Sequence, residues 1–370
     1  MTTGTVYATF DEMWDFMRKT FICAGVPEDE AKICADVLIE SDKRGIDSHG
    51  VGRFKPIYLD RMRDGILNPI THFEIVRDYK ATAVVDGHDG MGHVIGVRAM
   101  QMAIDKAKEY GLGMVAVRNS SHYGIAGYYP IMADRENMIC FTGTNARPSI
   151  APTFGVENML GTNPLTIGFP TDEDFPFVID CATSISQRGK IEHYARIGKQ
   201  MPEGWVLDGR GQPVTDPDIA LVGLVDGSCA LAPLGGIGED LAGYKGYGYA
   251  TVIEVLSAAL QAGSFLKQLA GYAPDGSIQP YHLGHFFLAI DVAAFIDPAE
   301  FKKTAGDILR ALRASRRAEG EERIYTAGEK EYLAYVERQE TGIPLNPAVR
   351  KTLEDARAEY SVDHVFSWEK

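Results

Sequence analysis

Helical periodicity at both ends of the chain encloses a middle stretch in which short apolar runs alternate with glycine-rich turns, and few architectures satisfy both patterns. From Asp11 to Cys23, the apolar residues Met13, Trp14, Phe16, Met17, Phe21 and Ile22 recur at helical spacing. Gly25 supplies a stop, and Pro27 opens a second helix with Glu28, Asp29 and Glu30 in its first turn. Ala31, Cys34, Ala35 and Leu38 form the apolar stripe of that helix. From about Ala81 the runs ATAVVD, GMVAVR, NMICFTGT and FVIDCA read as strands, separated by turns and by helical segments such as VRAMQMAIDKAKEYG. That alternation marks an α/β unit. Residues Ser186 to Leu231, with Pro202, Gly204, Gly209, Gly211, Pro213 and Pro217, read mostly as loop. A glycine-dense stretch, GGIGEDLAGYKGYGYA, then leads into an apolar helix, and HFFLAIDVAAF reads as another strand. From about Pro298 the pattern returns to helix, with Phe301, Ile308, Leu309 and Leu312 on one side. The expected division is a helical part at 1–78, an α/β domain at 79–298, and a second helical part at 299–370 packing with the first.

Composition removes several classes of partner. A formal charge of −14 opposes broad contact with nucleic acid or anionic lipid, yet allows a local basic pocket for a small anion. No apolar run approaches the roughly 18–20 residues that span a bilayer, and the N-terminus lacks a signal-peptide pattern. The five cysteines are scattered and never spaced as CxxC, as expected for reduced thiols in a cytoplasmic protein. His282 and His285 have no nearby acidic or thiolate partner, so they read as structural and no metal is expected. Lys302, Lys303, Arg310, Arg313, Arg316 and Arg317 read as a solvated helix face.

Two clusters hold residues suited to a small hydroxy acid. IDSHGVGRFKPIY brings Ser48, His49, Arg53 and Tyr58 to one loop-to-helix junction. Arginine offers a planar fork for a carboxylate, and histidine trades protons near neutral pH. VAVRNSSHYGIAGYYP reads as a strand ending in a polar turn with Asn119, Ser120, Ser121 and His122, and functional side chains favour such strand ends. Gly90, Gly92 and Gly96 spell GxGxxxG between a strand and a helix, as in a dinucleotide fingerprint. The following strand nevertheless ends in Arg118, where an acidic ribose ligand belongs, so the Rossmann reading fails. Better cofactor candidates are Asp180, at the end of FVIDCA, and Lys245, a point charge among flexible glycines.

Nine strings in order over nearly the whole chain resemble the malate/L-lactate dehydrogenase family of the second type: RGIDSHGVGR, VVDGHDGMGH, VRNSSHYGIAGYY, TNARPSIAPTFG, LGTNPLTIGFP, FVIDCATS, YKGYGYA, GHFFLAID and AGEKE. That family also holds L-sulfolactate and ureidoglycolate dehydrogenases, 2,3-diketogulonate reductase and a cyclic imino-acid reductase. The resemblance implies an α/β, L-sulfolactate dehydrogenase-like fold with a non-Rossmann nicotinamide-binding domain and a helical domain from both chain ends. It implies a homodimer that transfers a hydride between NAD, or alternatively NADP, and a small 2-hydroxy or 2-oxo acid, with malate or lactate foremost. By motif it makes His49 and Arg53 substrate ligands beside Ser48, and either His122 or His49 the proton-transfer group. Asp180, Cys181, Ala182, Lys245, Gly328, Glu329 and Lys330 match cofactor-contacting strings. The spacing from Arg53 to Tyr58 is one residue longer than in several relatives, which leaves the place of Tyr58 as a substrate ligand open. A binding protein that keeps the cofactor pocket without catalysis is the alternative from another class.

Overall fold

The computed structural model describes residues 4–369. The chain enters through β1 (Val6–Ala8), α1 (Phe10–Cys23) and α2 (Glu28–Lys43). Thr9 caps α1 by accepting the Glu12 N–H, and Met13, Phe16, Met17 and Phe21 form its buried stripe. A bent helical stretch follows: α3 (Val51–Arg53), a π turn over Phe54–Leu59, and α4 (Asp60–Arg63). Pro56 lies inside that π turn and has no N–H to donate to an α-helical turn, so the wider i→i+5 arrangement fits the sequence.

The α/β region begins with β2 (Glu74–Tyr79), β3 (Thr82–Asp86), α5 (Gly92–Tyr110), β4 (Leu112–Ser120), α6 (Tyr128–Asp134), β5 (Met138–Thr144), β6 (Leu165–Phe169) and β7 (Phe177–Cys181). A lobe of α7 (Arg188–Arg196), β8 (Val206–Asp208), α8 (Pro217–Asp226), β9 (Cys229–Leu231) and α9 (Gly243–Ala258) comes next, and β10 (Leu283–Asp291) returns to the sheet. The chain ends with α10 (Pro298–Ala314), α11 (Glu329–Thr341), β11 (Ile343–Leu345) and α12 (Pro347–Glu359).

The seven-stranded sheet runs β2-β3-β4-β10-β5-β6-β7. Only β3 and β4 pair in parallel, linked by α5, and every other neighbour is antiparallel. A dinucleotide-binding fold of the Rossmann kind is a mostly parallel, doubly wound sheet, so this topology departs from it. The helical body is closed by both ends of the chain: β1 pairs with β11, and Leu353, Ala356 and Phe366 join the core of α1 and α2.

Three expectations are refined. The passage from Ser186 to Leu231 is not mostly loop, because it holds α7, β8, α8 and β9. Its turn residues are helix punctuation: Asp216 caps α8, Pro217 takes the first turn, and Gly227 closes it at φ 83°. The cut at 78 falls inside β2, an exposed edge strand of the main sheet. Helix α10 docks on the sheet edge, with Phe301 against Phe169 and Arg310 paired to Asp172. Arg310 and Arg313 therefore serve docking rather than a wholly solvated face, since Arg313 pairs with Glu173.

Candidate active site

The end of β4 is held firmly. Ser120 Oγ bonds His285 Nε2 at 2.8 Å, and His285 Nδ1 bonds Thr144 Oγ1 at 2.7 Å. Ser121 Oγ donates to the Gly90 carbonyl and accepts the Gly92 N–H, at 2.8 and 2.9 Å. Two of the GxGxxxG glycines, Gly92 and Gly96, sit where no side chain fits. A Cβ on Gly92 would lie 2.4 Å from the Ser121 carbonyl oxygen, and one on Gly96 would lie 2.3 Å from the Tyr129 hydroxyl. The start of α5 is thus covered by protein backbone, and the glycines serve close packing behind His122.

His122 is fixed from two sides. Its Nδ1 accepts the Gly124 N–H at 3.3 Å and pairs with Tyr58 Oη at 2.6 Å. The π turn places Tyr58 there. The i→i+5 turn over Phe54–Leu59 turns the Tyr58 phenol toward His122. Tyr58 is fully buried, and its ring lies 4.4 Å from that of His93, which is also buried. Tyr58 therefore contacts His122 and does not line the cleft.

The loop with Ser48 and His49 hangs from Asp42. This buried carboxylate accepts the Val51 N–H at 2.8 Å, and a Cβ on Gly50 would sit 2.1 Å from it. Ser48 Oγ pairs with His49 Nδ1 at 2.8 Å, and Arg53 Nε donates to the Ser48 carbonyl at 2.7 Å. The rings of His49 and His122 are nearly parallel, with centroids 5.8 Å apart.

Two adjoining chambers of about 410 Å³ each meet at Arg53 and His122. One is lined by His49, Thr144, Asp180, Ala182, Gln187 and Glu331. The other is lined by Arg61, Arg147, Arg188 and Tyr281. Small-molecule sites commonly occupy about 300–1,000 Å³. Burial, together with the positive charge of Arg53, holds His49 down to about 4. Burial, then His49, His93, Arg61 and Arg53, keep His122 well below the ordinary histidine range. Both rings are thus neutral at pH 7.

These features match known proteins. The model of the family described as malate/L-lactate dehydrogenase matches residues 8–354. The chain belongs to that family. It is 42% identical to malate dehydrogenase of Pyrococcus horikoshii, over 93% of this chain and 92% of that one. It is 42% identical to L-sulfolactate dehydrogenase of Methanocaldococcus jannaschii, over 85% of this chain and 86% of that one. The crystal structure of malate dehydrogenase from Entamoeba histolytica superposes with a TM-score of 0.94 at 43% identity, covering 98% of this chain and 100% of that one. The protein is a hydroxy-acid dehydrogenase, and such an enzyme works with a nicotinamide cofactor.

The structure gathers only part of the expected cofactor set. Asp180 opens onto the cleft, where its oxygens accept the Gly127 N–H at 2.7 Å and the Thr166 hydroxyl at 2.9 Å. Ala182 lines the same chamber, whereas Cys181 is not among its walls, in keeping with the alternation of a strand. Gly328, at φ 89°, packs on the Pro176 carbonyl, and the buried Glu329 is held by the Thr326 N–H and Arg323. Lys330 lies over the Tyr325 ring, and Lys245 is exposed near the start of α9, so neither lines the two chambers. The chamber walls also carry the hydroxyl of Thr162 and the amide of Gln187, polar groups of the kind that orient a nicotinamide nucleotide.

Sequence reasoning missed Arg61, Arg147, Arg188, Tyr281 and Glu331. Arg147 stands inside TNARPSIAPTFG and Glu331 is the last residue of AGEKE, both strings already noted. Nothing local marks Arg61 or Tyr281. His282 pairs with Asp89 at 2.8 Å. Among the described residues no group of three or more His, Cys, Asp or Glu side chains could hold a metal, and no helix is long and apolar enough to cross a membrane.

Proposed function

We propose that this dehydrogenase interconverts malate and oxaloacetate with NAD, using His122 for proton transfer and Arg53 for the substrate carboxylate. NADP is the alternative cofactor. The observation that carries this reading is the meeting of the two chambers at Arg53 and His122, which come from separate elements. Identity of 42% to a malate dehydrogenase over most of both chains supports the choice of acid.

When bound, the nicotinamide ring supplies a two-electron acceptor for the C2 hydride. Arg53 holds the C1 carboxylate by its planar fork. As the C2–H bond breaks, the hydroxyl proton passes to His122 Nε2 and the carbonyl forms. Nε2 takes that proton only in the tautomer whose Nδ1 carries the ring proton: Nδ1–H then donates to Tyr58 Oη, the long Gly124 N–H contact is given up, and the Nε2 lone pair is left for substrate. His122 starts neutral because burial and its cationic neighbours oppose protonation. A substrate anion on Arg53 offsets part of that field, so the imidazolium is stabilised as it forms. His49, tied to Ser48, is assigned to substrate binding.

Asp180 and Ala182 are assigned to the cofactor side, backed by Gly328. Two copies are assigned to pair through α8 and α9, where Val222, Val225, Val252 and Val255 are exposed. The test is loss of reduced-nicotinamide absorbance with oxaloacetate, using wild-type protein, His122→Asn and Arg53→Ala. His122→Asn should lose about 10²–10⁴-fold in kcat, with cofactor affinity retained. Arg53→Ala should lose about 2–5 kcal/mol in kcat/KM. Full turnover in His122→Asn would refute the proton-transfer assignment, and no turnover in wild type with either cofactor would refute the reaction.

A further inference from the structure

The chain carries 51 acidic against 37 basic side chains, yet the chamber beyond Arg53 and His122 is lined by four arginines and no carboxylate. Such a local reversal of charge draws anions. Of these arginines, Arg188 is paired with Glu192 at 3.0 Å, and Arg53 Nε is bonded to the Ser48 carbonyl. Arg61 and Arg147 have no carboxylate within ion-pair distance among the described residues. The Arg61 guanidinium lies 4.6 Å from the centre of the Tyr281 ring, which braces it without neutralising it.

The backbone explains how the charges meet. In an α-helix of about 3.6 residues per turn, a residue eight positions on is rotated about 80° away. Between Arg53 and Arg61 the π turn over Phe54–Leu59 takes up the excess, and both line one chamber with Ile57. Arg147 reaches the chamber from the loop after β5. Desolvation lowers Arg61, the Tyr281 and Tyr58 phenols oppose that shift, and repulsion from Arg147 and Arg53 adds to it.

We infer that Arg61 and Arg147, braced by Tyr281, hold a second anionic group of the substrate and make the enzyme select 2-hydroxy dicarboxylates over monocarboxylates. The inference rests on the proposed reaction and adds the residues that choose the acid. The C1 carboxylate sits on Arg53 at the junction of the chambers. The distal carboxylate reaches the arginine chamber, and the chamber with Asp180 and Glu331 remains for the cofactor.

The test compares Arg147→Gln and Arg61→Gln with wild type for reduction of oxaloacetate, sulfopyruvate and pyruvate. Calorimetry of L-malate binding in the presence of NADH, an unreactive pair, runs alongside. The ratio of kcat/KM for oxaloacetate over pyruvate should fall at least about 30-fold in each variant, with the cofactor KM unchanged. Sulfopyruvate should fall with oxaloacetate, because a sulfonate carries the same charge at the same carbon. A loss confined to sulfopyruvate would overturn the carboxylate assignment. A ratio constant within about threefold, or a raised cofactor KM, would overturn the inference. If the wild type reduces none of the acids, the proposed reaction falls. The chamber then stands if Arg147→Gln loses malate binding, and falls if both variants keep it.

Discussion

Replacing Asp42 separates anchoring of the His49 loop from the cost of a buried charge. Asp42 is 1% exposed, and its Oδ2 accepts the Val51 N–H at 2.8 Å, one residue beyond the glycine that lets the loop approach. Removing that acceptor leaves a buried N–H unpaired, which costs about 1–3 kcal/mol. Asp42→Ala should therefore lose about 1–3 kcal/mol of stability and free the loop holding Ser48, His49 and Arg53, so kcat/KM falls. Asp42→Asn keeps an oxygen for Val51 and removes the charge.

Burial pushes the Asp42 carboxyl well above the usual carboxylate range in the folded state. The folded protein thus binds this proton more tightly than the unfolded chain. Its contribution is full below pH 4 and is lost as pH rises toward the folded value. Asp42→Asn lacks that loss, so its melting temperature relative to wild type should rise from pH 5 to pH 8. Thermal melts of both variants at several pH values, with kcat/KM at pH 7, make the measurement. If Asp42→Asn loses ground as pH rises, or Asp42→Ala keeps full activity and stability, the anchoring argument is wrong.

Two further outcomes follow from the site. Because His122 is held well below 6.5 in the free enzyme, kcat/KM for malate oxidation should stay flat down through pH 6.5 and fall only in more acid solution. Reduction of oxaloacetate, which needs the protonated ring, should slow as pH rises through neutrality. A pH profile in each direction checks this, and an acid limb for oxidation near 7 would contradict it. Light scattering should give the mass of a dimer, and Val225→Asp with Val255→Asp should shift it toward a monomer. An unchanged mass would move the interface elsewhere.

Much of the fold is legible locally. The stripe Met13, Phe16, Met17, Phe21 and the runs GMVAVR and FVIDCA fall in α1, β4 and β7, although β4 continues past Arg118 to take in Asn119 and Ser120, which the sequence reading places in a turn. Helix α8 escaped because its punctuation, Asp216, Pro217 and Gly227, has the same composition as a loop. The reading of Arg118 against a Rossmann ribose site fits its actual partner, Asp86, at 2.7 Å. His49, Arg53 and His122 were visible because their strings put chemistry at a loop-to-helix junction and a strand end.

What the sequence determines alone is the set of elements and the residue types able to move a proton and grip a carboxylate, since both depend on neighbours along the chain. Only the tertiary structure decides that β10 enters between β4 and β5, that Tyr58 backs His122 through a π turn, and that Arg61 and Arg147 face one cavity. The physical reason is separation: Tyr58 and His122 are 64 positions apart. No periodicity encodes such a contact, which arises when distant apolar faces bury one another and carry their polar side chains to the seam.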